Sequence, residues 1–187
     1  MRRLGMFNQV SVDGFFSSAA GDSSWMHSSE PDPEFDEWSA NSASGGGALL
    51  FGRATFEMME SWWPTEAAKK AMPGISNGMT AAEKWVFSRS RSSSGWANTR
   101  FLAGDLVQEV KQLKASGSGP ITILGSGSLI GPLLRAGLLD ELQLMVLPVL
   151  LGAGTALFRD AGQHGLKLAR SRTFKNGRTW LSYELPR

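Results

Sequence analysis

Apolar and polar positions alternate or cluster along this chain in a way that places its elements. Leu4 to Val12 is a mixed apolar run with strand character, and Asp13-Gly14 breaks it. Phe15 to Ser29 is rich in Ser, Gly and Ala and reads as a long loop, a length more often functional than idle in a compact domain. Pro31 to Ser42 reads as a helix. Pro33 suits its first turn, Asp32 its N-cap, and Phe35 and Trp38 share a face. Gly45 to Gly47 ends it.

Ala48 to Phe51 is a short strand, Thr55 to Ser61 a short helix stopped at Trp62-Trp63-Pro64, and Thr65 to Met72 a further helical turn or two. Lys84 to Phe87 and Trp96 to Leu102 are strands separated by a serine-rich loop. Asp105 starts a helix through Lys114, with Leu106, Val110 and Leu113 at helical spacing. Ser116 to Pro120 turns into Ile121-Thr122-Ile123-Leu124, a buried-strand pattern. A Gly-Ser-Gly-Ser turn follows, and a helix over Leu129 to Ala136 with Gly137 as its stop. Leu142 to Leu151 is a long strand-like run interrupted by Pro148. Leu166 to Phe174 and Thr179 to Leu185 flank Asn176-Gly177 and form a hairpin. Strands alternating with helices and a hairpin at the end predict an α/β fold: a mixed, mostly parallel sheet with flanking helices and an antiparallel C-terminal hairpin.

Composition narrows the function. The 187 residues suit one domain, 1–187, with no internal repeat or linker. The chain is 42% hydrophobic and 19% charged, an ordinary globular balance. The pI near 9.2 comes from only 19 basic against 17 acidic residues, and the basic ones are scattered. That speaks against nucleic acid as a partner. There is no cysteine, hence no disulfide, thiolate metal site or cysteine nucleophile, which fits a cytoplasmic protein. With two histidines far apart, no metal is expected. No apolar run reaches membrane-spanning length, and the N-terminus does not read as a signal peptide. Of the seven tryptophans, Trp25, Trp38, Trp62 and Trp63 fall close together, lining a cleft or packing a core.

Chemistry concentrates at three strand ends. Gly125 to Ser128 turns from a strand into a helix, where free N–H groups and the helix dipole suit an anion. Its spacing is not GxGxxG, and a tight turn needing small residues is the plainer account of it. Gly52-Arg53-Ala54-Thr55 offers close approach, a guanidinium and a hydroxyl. Ser88-Arg89 puts a hydroxyl beside a planar cation, a fit for a phosphate monoester. Strand ends on one edge of an α/β sheet meet in a common crevice, so a ligand with several phosphates can span all three.

The ordered motifs SVDG (11–14), LLFGRATFE (49–57), VFSRS (86–90), ILGSGSLI (123–130) and DEL…PVLLGAGTALF (140–158) resemble the dihydrofolate reductase-like family over nearly the whole chain. Within it they are most similar to the C-terminal reductase domain of the riboflavin-biosynthesis deaminase-reductase and its stand-alone relatives. No zinc-deaminase residues are present. The resemblance implies a three-layer fold, NADPH as cofactor and a small-molecule substrate, heterocyclic or of the ribosylamino-pyrimidine or pterin kind. It implies cofactor phosphate contacts at Gly52, Arg53, Thr55, Gly125, Ser126, Gly127, Ser128 and Leu129, and a 2′-phosphate contact at Ser88 and Arg89. Gln9 and Val10 would face the nicotinamide, under a mobile loop from Asp13 to Trp25. Asp13, Trp25 and Glu37 are placed at the substrate pocket, and Asp13 is the proton-donor candidate. Its other reading is an Asp-Gly turn residue, and the choice among the helix carboxylates Asp32, Glu34, Asp36 and Glu37 stays open. Dihydrofolate reductases carry a cis Gly-Gly bond at the glycine turn; here the pair is Gly125-Ser126, where a cis bond would cost about 2.5–4 kcal/mol. Three functions are carried forward: an NADPH-dependent reductase, a non-catalytic NADPH-binding protein of the same fold, and a domain that binds no nucleotide. A homodimer is expected from the surplus of apolar surface.

Overall fold

The computed structural model describes every residue except Ser28, Ser44 and Arg187. Ten strands and six α-helices follow in the order β1 (Leu4–Ser11), β2 (Phe15–Ser18), α1 (Pro33–Ala43), β3 (Ala48–Gly52), α2 (Arg53–Glu60), α3 (Glu66–Ala71), α4 (Pro73–Ala81), β4 (Glu83–Phe87), β5 (Thr99–Leu102), α5 (Leu106–Ala115), β6 (Ile121–Leu124), α6 (Gly127–Arg135), β7 (Glu141–Leu147), β8 (Gly154–Ala156), β9 (Lys167–Thr173) and β10 (Thr179–Glu184). A 3₁₀ turn at Ser24–His27 precedes α1. Eight strands form one sheet in the order β5-β4-β3-β6-β1-β7-β10-β9, and β2 pairs with β8 in a separate ribbon. All ladders in the large sheet are parallel except those of β10 with β7 and with β9.

Strand alternation sends side chains to two faces. Leu4, Met6 and Val10 of β1 join Leu50 of β3 and Ile121 and Ile123 of β6 on one face. Val110 and Leu113 of α5 and Ile130 and Leu133 of α6 cover them. The opposite face is packed in two patches. Met145, Leu147 and Trp180 of β7 and β10 lie under Phe35 and Trp38 of α1 and against Trp25. Phe51 and Val86 of β3 and β4 lie under Phe56 of α2 and Met79 of α4. Where α4 meets α1, a Cβ on Gly74 would come within 3.1 Å of the Ala40 Cβ, so the helices approach closely. The result is three layers, helix on sheet on helix.

Local chemistry sets the ends. The Asp32 carboxylate accepts from the N–H groups of Glu34 (3.1 Å) and Phe35 (3.4 Å) and starts α1. Asp105 does the same for α5 through the Gln108 N–H. Gly137, at φ +63°, stops α6: its N–H goes to Leu134 O, and that of Leu138 to Leu133 O.

The structure departs from the pattern-based reading at five places. The stretch Phe15–Ser29 is not plain loop: it holds β2 and the 3₁₀ turn, and its Ser28 lies outside the described residues. The helix α4 lies in a segment with few periodic residues, and tertiary packing of Met79 supplies what periodicity does not. The run Leu142–Leu151 ends as a strand at Leu147, because Pro148 removes a ladder donor. The strand after the serine-rich loop begins at Thr99, not Trp96, whose ring is buried beside Phe56. At the hairpin only Gly177 has positive φ. The Gly177 N–H closes a turn on Phe174 O, and Phe174 N–H bonds Arg178 O. That is a turn followed by a left-handed glycine, not the two-residue Asn-Gly type.

Candidate functional site

The C-terminal ends of β4, β3, β6 and β1 lie side by side and carry the sequence motifs. Three of them are laced together around Ser126. The Gly52 N–H donates to Ser126 Oγ (2.8 Å), and that hydroxyl donates to Leu124 O (3.0 Å). The Ser126 N–H donates to Thr55 Oγ1 (3.1 Å), and Asn8 Nδ2 donates to Gly125 O (3.2 Å). Gly125 and Ser126 both adopt left-handed backbone, φ +57° and +56°, and the structure holds no cis peptide bond among the described residues. Only glycine fits at 125, because a Cβ there would stand 2.7 Å from Thr55 Cγ2. Ser126 tolerates the conformation because its N–H and hydroxyl are held by three bonds, an energetic offset for a non-glycine residue with positive φ.

These bonds divide the predicted phosphate residues into two groups. Ser126, Gly52 and Thr55 spend their polar groups on one another and form the floor. The first-turn N–H groups of α6, at Gly127 and Ser128, have no acceptor among the described residues and stay at the positive end of the helix. Leu129 is buried beneath, its N–H turned back to Ser126 O at 2.8 Å. The ring of Phe16, on β2, lies over the turn: a Cβ on Gly127 would be 3.2 Å from it. Nothing in the local sequence singles out Phe16, which reaches this place through the β2–β8 ribbon.

At the end of β4, Ser88 is buried and its hydroxyl accepts the N–H groups of Ser90 (3.3 Å) and Arg91 (3.0 Å). Three arginines stand near these ends, and they differ in their partners. Arg53 is paired with Glu57 at 2.9 Å, and Arg91 with Glu60 at 2.7 Å. Arg89 is exposed and has no hydrogen bond or ion pair with the described residues.

Strand β6 stops at Leu124, opposite Phe7, so β1 beyond Phe7 has no strand on that flank. Gln9 lies on this stretch, and its Oε1 is shut off from solvent without a hydrogen-bond donor. Val10 does not face the same way. Its side chain is buried in the core under α6, because alternate residues of a strand point to opposite faces.

The expected substrate residues Asp13, Trp25 and Glu37 each have their own partners. Asp13 accepts from the N–H groups of Leu151 (3.2 Å) and Gly152 (2.7 Å) and clamps the segment after β7 to the end of β1. The Ser11 side chain above all, and then these two N–H groups, hold its carboxyl below the usual range against a contrary effect of burial. Trp25 is buried against Met145 and Trp180. Glu37 lines a depression of about 390 Å³ with Glu34, Trp38, Asn41, Ser42 and Arg172. That depression lies between α1 and Arg172 of β9, while Trp38, next to Glu37, packs on Phe7 of β1 with ring centroids 6.4 Å apart. Of the other α1 carboxylates, Asp32 is a cap and Glu34 is paired with Arg172 at 2.5 Å. No cluster of His, Cys, Asp or Glu suited to a metal occurs among the described residues, and no described helix is long and apolar enough to cross a membrane.

Comparison with known proteins matches this architecture. The chain is 29% identical over 183 residues to the uncharacterized protein YyaP of Bacillus subtilis (strain 168), covering 97% of this chain and 94% of that one. Its structure superposes on a putative riboflavin biosynthesis protein from Shewanella sp. PV-4 with TM-score 0.74 and 22% identity, over 99% of both chains. A pyrimidine reductase-like protein from Corynebacterium diphtheriae superposes with TM-score 0.66 and 15% identity, over 100% of this chain and 92% of that one. These structures share its dihydrofolate reductase-like fold. Residues 2–179 match the RibD C-terminal domain, and the chain belongs to that family.

Proposed function

We propose that this protein is a reductase that uses NADPH to reduce a small heterocyclic substrate of the ribosylamino-pyrimidine or pterin kind. The observation that carries this is that the acceptor-free N–H groups of Gly127 and Ser128 follow β6 and the unpartnered Arg89 follows β4, two strands whose C-terminal ends share one edge of the sheet. Two strand spacings separate β6 from β4, about 10 Å, a span suited to a ligand with a diphosphate and a second, separate phosphate. The kinship with the RibD C-terminal domain and the likeness to a pyrimidine reductase-like protein support the same reading.

The residues present fit the cofactor. Gly127 and Ser128 would hold the diphosphate on the α6 N-terminus, above the floor of Gly52, Thr55 and Ser126. Arg89, beside Ser88, would hold the ribose 2′-phosphate, the group that distinguishes NADPH from NADH. The open flank of β1 at Gln9 would take the nicotinamide. When bound, NADPH supplies the hydride. The chain itself orients the cofactor and closes the crevice with Phe16 and the β2–β8 ribbon. Asp13 is committed to Leu151 and Gly152, so it serves as a clamp, and the proton comes from a carboxyl group of α1 or from water.

The test is NADPH oxidation with dihydrofolate and with ribosylamino-pyrimidine intermediates, alongside cofactor titrations. Turnover with one of them supports the reductase. Binding of NADPH without turnover across the panel assigns the protein to the non-catalytic alternative, and no binding at all removes both. Pairing with a second copy belongs to the same proposal. Leu166, Leu168 and Phe158 are apolar and 43%, 52% and 38% exposed. A monomer mass in light scattering at micromolar concentration would rule it out.

A further inference from the structure

Arg91 carries the same charge as Arg89, two residues away, yet it is held on several sides, with a distant Glu57 oxygen at 3.9 Å and the Phe101 ring at 5.8 Å beside its closer partners. Its Nη2 lies 2.7 and 2.9 Å from the two carboxylate oxygens of Glu60, at the end of α2. Its Nε donates to Ser93 O at 3.0 Å, and its guanidinium lies over the ring of Phe56, 5.3 Å from the centroid. Its backbone N–H is bound by Ser88 Oγ. Glu60 also accepts from the Ser94 hydroxyl, whose oxygen in turn accepts the Trp96 N–H at 2.9 Å. The loop from Ser88 to Trp96 is therefore stapled at Ser88, Arg91, Ser94 and Trp96, and Arg89 stands between the first two staples.

We infer that Glu60 is a positioning residue for cofactor choice: by neutralising and pinning Arg91 it presets the loop so that Arg89 alone presents a free cation. This rests on the NADPH reading above. A long cationic side chain on a loose loop must be ordered when it binds, and the ordering weakens binding. A loop already stapled at both sides of Arg89 avoids most of that cost. The pairing of Arg91 matters equally, because a second free guanidinium would attract any phosphate and blunt the distinction between NADPH and NADH.

The experiment measures dissociation constants for NADPH and NADH, by tryptophan fluorescence, in the unaltered protein and in Glu60→Gln, Arg89→Ala and the double variant. Glu60→Gln is expected to weaken NADPH binding roughly fivefold while leaving NADH within about twofold, and Glu60→Asp to recover part of the loss. Arg89→Ala removes the NADPH preference. The double variant then binds NADPH no worse than Arg89→Ala alone, since Glu60 acts through Arg89. Equal weakening of both cofactors in Glu60→Gln, or additive losses in the double variant, would overturn the inference and leave Glu60 a purely structural residue. If the unaltered protein shows no preference for NADPH, the cofactor reading fails and this inference with it. If the preference survives Glu60→Gln unchanged, only the inference fails.

Discussion

Single residues carry much of the tension in this fold. Lys84 is fully buried at the start of β4, with its ammonium donating to Met79 O, Thr80 O and Ala82 O at 2.7–3.0 Å and lying over the Trp96 ring. It stitches the end of α4, where helix carbonyls lack partners, to the sheet. Burial pushes its pKa from 10.5 down to about 8. Between those values the unfolded chain binds a proton that the folded one does not. Stability should therefore rise as pH climbs from 8 toward 10.5, with the full penalty of the buried charge present below 8. Urea unfolding across that range checks it, and Lys84→Met should flatten the slope. Gly125 is the second such residue. Gly125→Ala adds a Cβ against Thr55 at positive φ, and a loss of about 2 kcal/mol is expected, with weaker NADPH binding. An unchanged denaturant midpoint would contradict that account of the turn.

Among elements, two carboxylates tie separate segments together. Asp13 joins the end of β1 to the segment after β7. Asp13→Ala should speed hydrogen exchange at the Leu151 and Gly152 amides while leaving β6 and β1 protected. Because its pKa is lowered, the clamp persists above the ordinary value of 3.8 and fails only as pH falls through a value below it, which exchange at low pH would reveal. Asp32 joins α1 to the hairpin, its second oxygen accepting the Asn176 N–H at 3.1 Å. Burial works against its ionisation, and the N–H groups of Asn176, Phe35 and Glu34 outweigh it. Asp32→Ala should cost about 1–2 kcal/mol in equilibrium unfolding, as expected for loss of an N-cap. Arg178 fastens the same region, donating to Met26 O at 2.7 Å and lying over Phe35. The stretch expected to be a mobile loop, Asp13 to Trp25, is thus tied at Asp13 and, one residue beyond its other end, at Met26.

At the scale of the molecule, one eight-stranded sheet gathers motifs spread over most of the chain. A ligand that binds only the folded chain stabilises it, by about 2.7 kcal/mol at a hundred times its dissociation constant. NADPH should therefore raise the melting temperature more than NADH at equal concentration, and Arg89→Ala should erase the difference. Equal shifts with both cofactors would remove Arg89 from its assigned role. Strand order was readable in outline because alternating strands and helices admit few arrangements, and the hairpin was readable from Asn176-Gly177. The β2–β8 ribbon was not, since neither strand is long or apolar enough to announce itself.

What the chain's own pattern determined is local in origin. The alternation of Leu4, Met6 and Val10, the caps at Asp32 and Asp105 and the left-handed position at Gly125 follow from residue shape and period, over a few neighbours. The strand-end motifs were legible for the same reason. Tertiary structure decided how those motifs divide their work. Ser126 meets Gly52 across 74 positions and Arg91 meets Glu60 across 31, and no window of sequence contains either pair. Those contacts turn Ser126 into floor and leave Arg89 the exposed, unpaired arginine of the Ser88–Ser94 loop. Tertiary structure likewise sets Glu37 in a depression shared with Arg172 of β9, and three strands lie between β9 and β6.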